Sequence, residues 1–302
     1  MLCRLTTRGL SVLAPAKLNL FLRIVSRRSD GYHDIDSVMA AINIYDTLTF
    51  EPLDADKIEL TVIDGSPQSA SGSFRAEAPA GPTNLVVRAA MLLKEHAACS
   101  AGVRITLVKR IPSAAGLGGG SSDCAATLAA LNRLWQLGLP PETLRQLAGQ
   151  LGSDIPFFLG SSAIARCTGR GEIIEPFAQQ AGLHFVVARP LTGLSTPAVY
   201  RGCEPDRTNQ SGQLFLEAIR SGQICRMAQR LHNGLQAPAE VLSADVRRLR
   251  SLFERESVVG HQMSGSGSSY FGMCRTFRHA VSVAGRLRSA GVPWVRVARI
   301  CP

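Results

Sequence analysis

From Gly9 to Arg28 the chain alternates. Leu18, Leu20, Leu22 and Ile24 fall on one side, and Asn19, Phe21, Arg23 and Val25 on the other. A two-residue period is that of a strand, and the Asp30–Gly31 pair that follows is a turn signal. Residues 35–53 and 56–65 repeat the pattern and predict further antiparallel strands, whereas the Ser-, Gly-, Ala- and Pro-rich stretch 65–82 predicts a loop. The period then changes. Residues 83–100 open on a Thr or Asn cap and read as a helix, residues 102–112 as a strand that stops at Pro112, and from Asp123 the positions Leu128, Leu131, Leu134 and Trp135 recur at helical spacing. Pro140–Pro141 opens another helix and Gly152 closes it.

A second half begins near Ala163. Strands are expected in 161–177 and 182–190, helices in 211–222, 224–242 and 244–256, and then strand 268–274, helix 276–291 and strand 293–300. The closing αβ pattern suits a small layered domain. No repeat of fixed period is present.

Composition narrows the class. With 302 residues, 45% hydrophobic and 19% charged, the chain is globular and long enough for two domains with a groove between them. No run approaches the roughly 20 apolar residues that span a bilayer, and Arg8, Gly9, Pro15 and Lys17 interrupt the opening segment. A cytoplasmic protein without a membrane partner is therefore expected. The eight cysteines form no CxxC pair, which argues against a zinc knuckle or a disulfide framework.

Charge raises one competing class. The net charge is +10, and residues 201–302 carry 15 arginines, no lysine and 7 acids. A nucleic-acid-binding protein using that half is one reading and a site for anionic small molecules the other. The arginines are spread through helical segments without interleaved aromatics, which favours the second, with no nucleic acid as partner.

The densest chemistry lies in "GLGGGSS", residues 116–122, set between a strand and a helix. Glycines let backbone N–H groups converge while the helix behind aims its dipole at the same point, an arrangement suited to phosphate. Neither the P-loop lysine nor the dinucleotide fingerprint's acid is present. Ser121 or Ser122 is expected to present a hydroxyl to phosphate or to its magnesium ion. Positive charge and a base must then come from elsewhere. Lys17, on the same strand face as Asn19, and Asp154, just ahead of an apolar stretch, are the candidates; a solvated edge lysine and a plain helix N-cap are their ordinary alternatives. A second Gly-Ser run, "MSGSGSSYFG" (Met263–Gly272), reads as the other lip of one cleft or as a simple hairpin.

"PAKLNLFL" (Pro15–Leu22), "IPSAAGLGGGSSDCAA" (Ile111–Ala126) and "MSGSGSSYFG" together resemble the three motifs of the galactokinase, homoserine kinase, mevalonate kinase and phosphomevalonate kinase (GHMP) superfamily. "DGYHDIDSV" (Asp30–Val38) and "LGSDIPFFLG" (Leu151–Gly160) resemble its branch acting on a cytidyl sugar alcohol. The resemblance implies a two-domain α+β GHMP kinase fold. Residues 1–162 would form a ribosomal-protein-S5 domain-2-like unit carrying the ATP phosphate loop. Residues 163–302 would form a ferredoxin-like α/β sandwich, with the active site in the cleft between.

It also implies the reaction: ATP phosphorylates the 2-hydroxyl of a cytidine-diphosphate-linked methylerythritol in the non-mevalonate isoprenoid route. A GHMP kinase acting on another small hydroxylated acceptor is the near alternative. Carried over position by position, Lys17 and Asp154 match the catalytic pair. Pro112, Ala115, Gly116, Leu117, Gly118, Gly119, Gly120, Ser121 and Ser122 match the ATP phosphate loop, which Asp123 follows. Asn19, Tyr32, His33, Asp154 and Phe185 match substrate-binding positions. ATP and Mg2+ are the implied cofactors, the ion being held through Ser121 or Ser122 rather than by a protein carboxylate. The oligomeric state is left open between monomer and weak homodimer. Ala114 departs from the pattern, since the family usually has Gly there, and its methyl group would crowd the loop if that residue needs a positive φ.

Overall fold

The computed structural model describes residues 1–65, 78–178 and 182–302. Its opening alternation is realised in a short β1 (Leu2–Thr6) and two very long strands, β2 (Gly9–Arg27) and β3 (His33–Leu53), paired antiparallel. β4 (Ile58–Asp64), helix α1 (Leu85–Ala97), β5 (Gly102–Lys109) and helix α2 (Gly119–Leu134) follow. Next come α3 (Pro141–Leu151), the single turn α4 (Ile155–Phe158), and the hairpin of β6 (Ile164–Gly169) with β7 (Ile173–Phe177). The loop expected at 65–82 lies largely outside the described residues.

β3 is long enough to serve two neighbours. Its second half pairs with β5, and its first half with β6. The first sheet therefore runs on through Phe177, beyond the boundary expected at 162/163, because Ile164–Gly169 finds its partner in Ile35–Ala40. One face of this sheet is covered by α1 and α2, with Phe50, Leu107, Leu93 and Leu128 among the fully buried side chains between them.

The remainder comprises β8 (His184–Arg189), α5 (Thr196–Arg201), α6 (Gly212–Arg220), α7 (Ile224–Gln229), β9 (His232–Asn233), α8 (Gln236–Leu242), α9 (Ala244–Glu254), β10 (Gly260–Met263), β11 (Tyr270–Cys274), α10 (Phe277–Ser289) and β12 (Trp294–Arg299). β10, β11, β8 and β12 form a four-stranded antiparallel sheet in that order. The helix expected over 224–242 is broken. His232–Asn233 leaves the helical path to pair with Phe21–Leu22 of β2, and the Asn233 amide donates to the carbonyls of Met263 (2.7 Å) and Gly265 (2.9 Å). That strand and side-chain bonding outcompetes helix propensity over two residues and ties the two sheets together.

Two features of β2 aim the site. Register shifts fall between Pro15 and Ala16 and between Asn19 and Phe21, bracketing Lys17–Asn19. A bulge bends a strand and re-aims its side chains, and it also accommodates Pro15, which has no N–H for the ladder. All eight cysteines are free thiols.

Candidate active site

A cavity of about 790 Å3 lies between the two sheets, walled by β2, the start of β3, the 112–121 loop, α5 and the Gly265–Ser266 turn. Lys17 enters it from the bulged part of β2 and is almost wholly buried. Its backbone N–H donates to the Leu117 carbonyl at 2.9 Å, so the strand carrying the lysine is bonded directly to the glycine run. Its ammonium donates to the Asn19 side-chain oxygen and stands 3.4 Å from the Asp154 carboxylate. Asn19 is fixed in turn: its amide donates to Ser37 Oγ (2.9 Å), which donates to the Phe21 carbonyl (2.7 Å).

Asp154 is not serving as a plain N-cap. It sits at the N-cap position of α4 but makes no side-chain cap hydrogen bond, and its carboxylate turns to Lys17 instead. About a third of that side chain is exposed, and it is the one acid among the described residues lining the cavity. The pair thus presents an open carboxylate and a largely buried ammonium to the same cavity.

Opposite Lys17 lies the N-terminus of α2. Gly118 caps it at φ 67°, and Gly118, Gly119, Gly120 and Ser121 all face the cavity. Here the absence of side chains is required by contact: a Cβ on Gly116 would lie 2.0 Å from the Ser264 carbonyl oxygen, and one on Gly118 2.9 Å from Lys17 Cγ. The unpaired N–H groups of a sixteen-residue helix and its dipole thus converge within a few ångströms of a buried ammonium, a donor set that fits a phosphoryl group.

The second Gly-Ser run is both things expected of it. It is the loop of the β10–β11 hairpin, and it meets the glycine run edge to edge: Ser264 Oγ donates to the Gly116 carbonyl (3.0 Å) and the Ser269 N–H to the Ala115 carbonyl (3.0 Å). Gly265 and Ser266 face the cavity.

At the other end, Tyr32 is exposed at the β2–β3 turn and His33 is buried behind it. Burial, aided by nearby Arg27, holds the His33 imidazole below its ordinary pKa, so it stays neutral over a wider pH range. Tyr200 of α5 packs against His33, ring centroids 5.3 Å apart, and lines the cavity.

Three expected site residues are elsewhere. Phe185 does not reach the cavity: it lies on β8, the strand flanked by β11 and β12, is fully buried, and meets Phe271 edge-on at 5.7 Å. Its side chain packs into the core shared with the first sheet and α6, beside Leu18, Val38 and Phe215, which leaves it no solvent. The aromatic that does line this end is Tyr200, which sequence reading missed because "TPAVYRG" carries no periodic signal beyond a single helical turn. The Leu117 side chain points into the core and contributes only its carbonyl. Ser122 is also fully buried, since one further step around α2 turns it from the cavity, leaving Ser121 as the serine exposed there.

Ala114 does adopt a positive φ, 50°, and still lines the cavity. Behind the loop lies a cluster not anticipated from sequence. Lys109, at the end of β5, is buried and donates to Asp46 and, at 2.8 Å, to Asp123. Asp46 also accepts from the N–H groups of Arg110 and Ile111 (2.9 Å to Ile111), and burial pushes the Asp123 carboxyl up to about 7.

Comparison with known proteins agrees with this arrangement. Residues 84–163 match the GHMP kinases N terminal domain and residues 215–293 the GHMP kinases C terminal domain. Over 282 residues, 92% of this chain and 94% of the relative, the sequence is 39% identical to 4-diphosphocytidyl-2-C-methyl-D-erythritol kinase of Pelotomaculum thermopropionicum. The chain belongs to this family of GHMP kinases. The enzyme of the same name from Nocardia farcinica is likewise 39% identical, over 93% of this chain and 90% of its own. A crystal structure of 4-(cytidine 5'-diphospho)-2C-methyl-D-erythritol kinase superimposes with TM-score 0.80 at 34% identity, covering 97% of this chain and 99% of that one. The homoserine kinase from Cytophaga hutchinsonii, at 15% identity and TM-score 0.72, shares the fold. As a GHMP kinase, the chain has the α+β architecture of that superfamily, and no helix among its described residues is long and apolar enough to cross a membrane.

Proposed function

We propose that this GHMP kinase transfers the γ-phosphoryl group of ATP to the 2-hydroxyl of 4-diphosphocytidyl-2-C-methyl-D-erythritol. The observation that carries the reading is that one cavity has two chemically distinct ends. Lys17, Asp154 and the α2 N-terminus meet at one, and Tyr32, His33 and Tyr200 line the other. The first end suits phosphoryl transfer and the second a flat heterocycle with donor and acceptor groups on its edge.

The residue roles follow from position. Asp154, open to the cavity, accepts the proton of the attacking hydroxyl. Lys17, unable to leave the pocket, keeps that carboxylate oriented and stabilises the developing alkoxide. Asn19 fixes the lysine through its side-chain oxygen and, held in turn by Ser37, lines the cavity where the acceptor would lie. Backbone N–H groups from Gly116 to Ser121 hold the transferring phosphates, and Ser121 is the hydroxyl placed to assist a magnesium ion that accompanies them. ATP supplies the phosphoryl group; everything else above is positioning and charge.

The test is ADP release with the cytidyl acceptor, with homoserine and with mevalonate. Turnover confined to the cytidyl acceptor supports the reading. Equal turnover of an acceptor lacking cytidine would leave Tyr32, His33 and Tyr200 without a substrate role and defeat it.

A further inference from the structure

The charges around the cavity are unevenly distributed. Lys17 and Asp154 offset each other, and the remaining charged side chains among the described lining residues are Arg27, Arg170 and Arg201. None sits at the glycine run. Arg27 is the strand partner of His33 across the β2–β3 hairpin, Arg201 follows Tyr200 at the end of α5, and the Arg170 guanidinium lies 5.0 Å from the centre of the Tyr32 ring. The surplus positive charge therefore surrounds the aromatic end.

These three are also poorly neutralised. Arg166, on the same hairpin as Arg170, shows what a structural arginine looks like here: it forms a two-pronged pair with buried Asp36 at 2.8 and 3.3 Å. Arg170 pairs with Glu172, 3.7 Å away, a carboxylate also engaged with the Arg170 backbone N–H at 2.6 Å, and Asp30 feels its charge from the neighbouring turn. Arg27 and Arg201 have no ion pair among the described residues. Three arginines line this end of the cavity, two without an ion pair among the described residues and one held at 3.7 Å by Glu172, and that surplus of positive charge favours an anion; the planar guanidinium fork matches phosphate oxygens two at a time.

We propose that Arg27, Arg170 and Arg201 bind the diphosphate of the acceptor substrate and select a nucleoside diphosphate moiety over the bare nucleoside. Arg170 has a second task. Its guanidinium covers one face of the exposed Tyr32 ring, which fixes the ring and leaves the opposite face for the base. The proposal rests on the cytidyl reading given above and adds to it the groups that read the phosphates.

The experiment is a pair of titrations, CDP and cytidine, by calorimetry at low salt, on the wild type and on Arg170→Gln, Arg201→Gln and the double variant. The wild type is expected to bind CDP more tightly than cytidine. Arg201→Gln should weaken CDP about five- to thirtyfold while leaving cytidine unchanged. Arg170→Gln should weaken both ligands, because its guanidinium also backs Tyr32, but CDP by a larger factor than cytidine, and added salt should shrink the difference between the two ligands. CDP affinity equal in wild type and variants overturns the assignment while the cytidyl reading stands. CDP and cytidine weakening by the same factor in Arg201→Gln would mark a structural disturbance of the aromatic pocket and overturns it as well. A wild type that binds neither removes the cytidyl reading and this assignment with it.

Discussion

The Lys17 ammonium stands 3.4 Å from the Asp154 carboxylate although the two are 137 positions apart in the chain. The amine is buried and the acid is open to the cavity, so the two are not interchangeable. Removing the acid leaves the buried ammonium with Asn19 as its remaining side-chain partner; removing the amine leaves the carboxylate solvated.

Asp154→Asn is therefore expected to fold and to lose about 10²–10⁴ in kcat, with KM for ATP little changed. Steady-state ADP release measures this, and an unaltered kcat would take Asp154 out of the chemistry.

Ala114 is a local cost to stability. An L-residue at positive φ carries roughly 1–2 kcal/mol of strain, partly offset because glycine loses roughly 0.5–1 kcal/mol more in ordering. Ala114→Gly should thus stabilise the protein by about 0.5–1 kcal/mol, read from the midpoint of urea unfolding. Gly116→Ala should do the opposite, because its Cβ would meet the Ser264 carbonyl oxygen.

Lys109 neutralises two buried carboxylates beneath the glycine run. Lys109→Met would leave Asp46 and Asp123 facing each other without a cation. A cost of about 3–5 kcal/mol is expected, and chemical denaturation will show whether it is paid. The Asp123 carboxyl, already pushed up to about 7, should rise further in that variant and relieve part of the loss at acid pH.

His33 gives a pH signature. Its folded pKa is lowered, first by burial and then by Arg27, so as pH falls the unfolded chain takes the proton before the folded one. Its contribution to stability is present above the ordinary histidine pKa of about 6.5 and is lost as pH falls below it. A protonated imidazole also loses its acceptor nitrogen. KM for the cytidyl acceptor should be flat above about pH 6.5 and rise below it, and Arg27→Gln should move that rise to higher pH.

Much of this site was legible in the sequence because its parts carry local signals. The glycine run sits between a strand and a helix, Lys17 and Asn19 share a strand face, and Asp154 precedes an apolar turn, so each could be offered as a candidate from its neighbours, and the resemblance to the GHMP motifs chose between those readings and the ordinary ones. Tyr200 had no such signal. It occupies a six-residue helix, and its value comes from packing on His33, which is 167 positions away. Phe185 had the opposite fault. An aromatic in an apolar strand reads the same whether it faces a ligand or a second sheet, and here the first sheet and α6 cover it.

The same division holds for the whole molecule. By itself the sequence determined the strands and helices with strong periodicity and the glycine run between a strand and a helix, and it offered Lys17 and Asp154 as candidates, since these depend on backbone conformation and short-range spacing. Tertiary structure alone decided the rest: that β6 and β7 join the first sheet, that His232–Asn233 leaves a helix to pair with β2, that Lys109 lies between two acids, and that three arginines gather around the aromatics. Each of those depends on which partner, tens to hundreds of residues away, completes a hydrogen-bonded edge or a buried charge, and local preferences along the chain do not encode that choice.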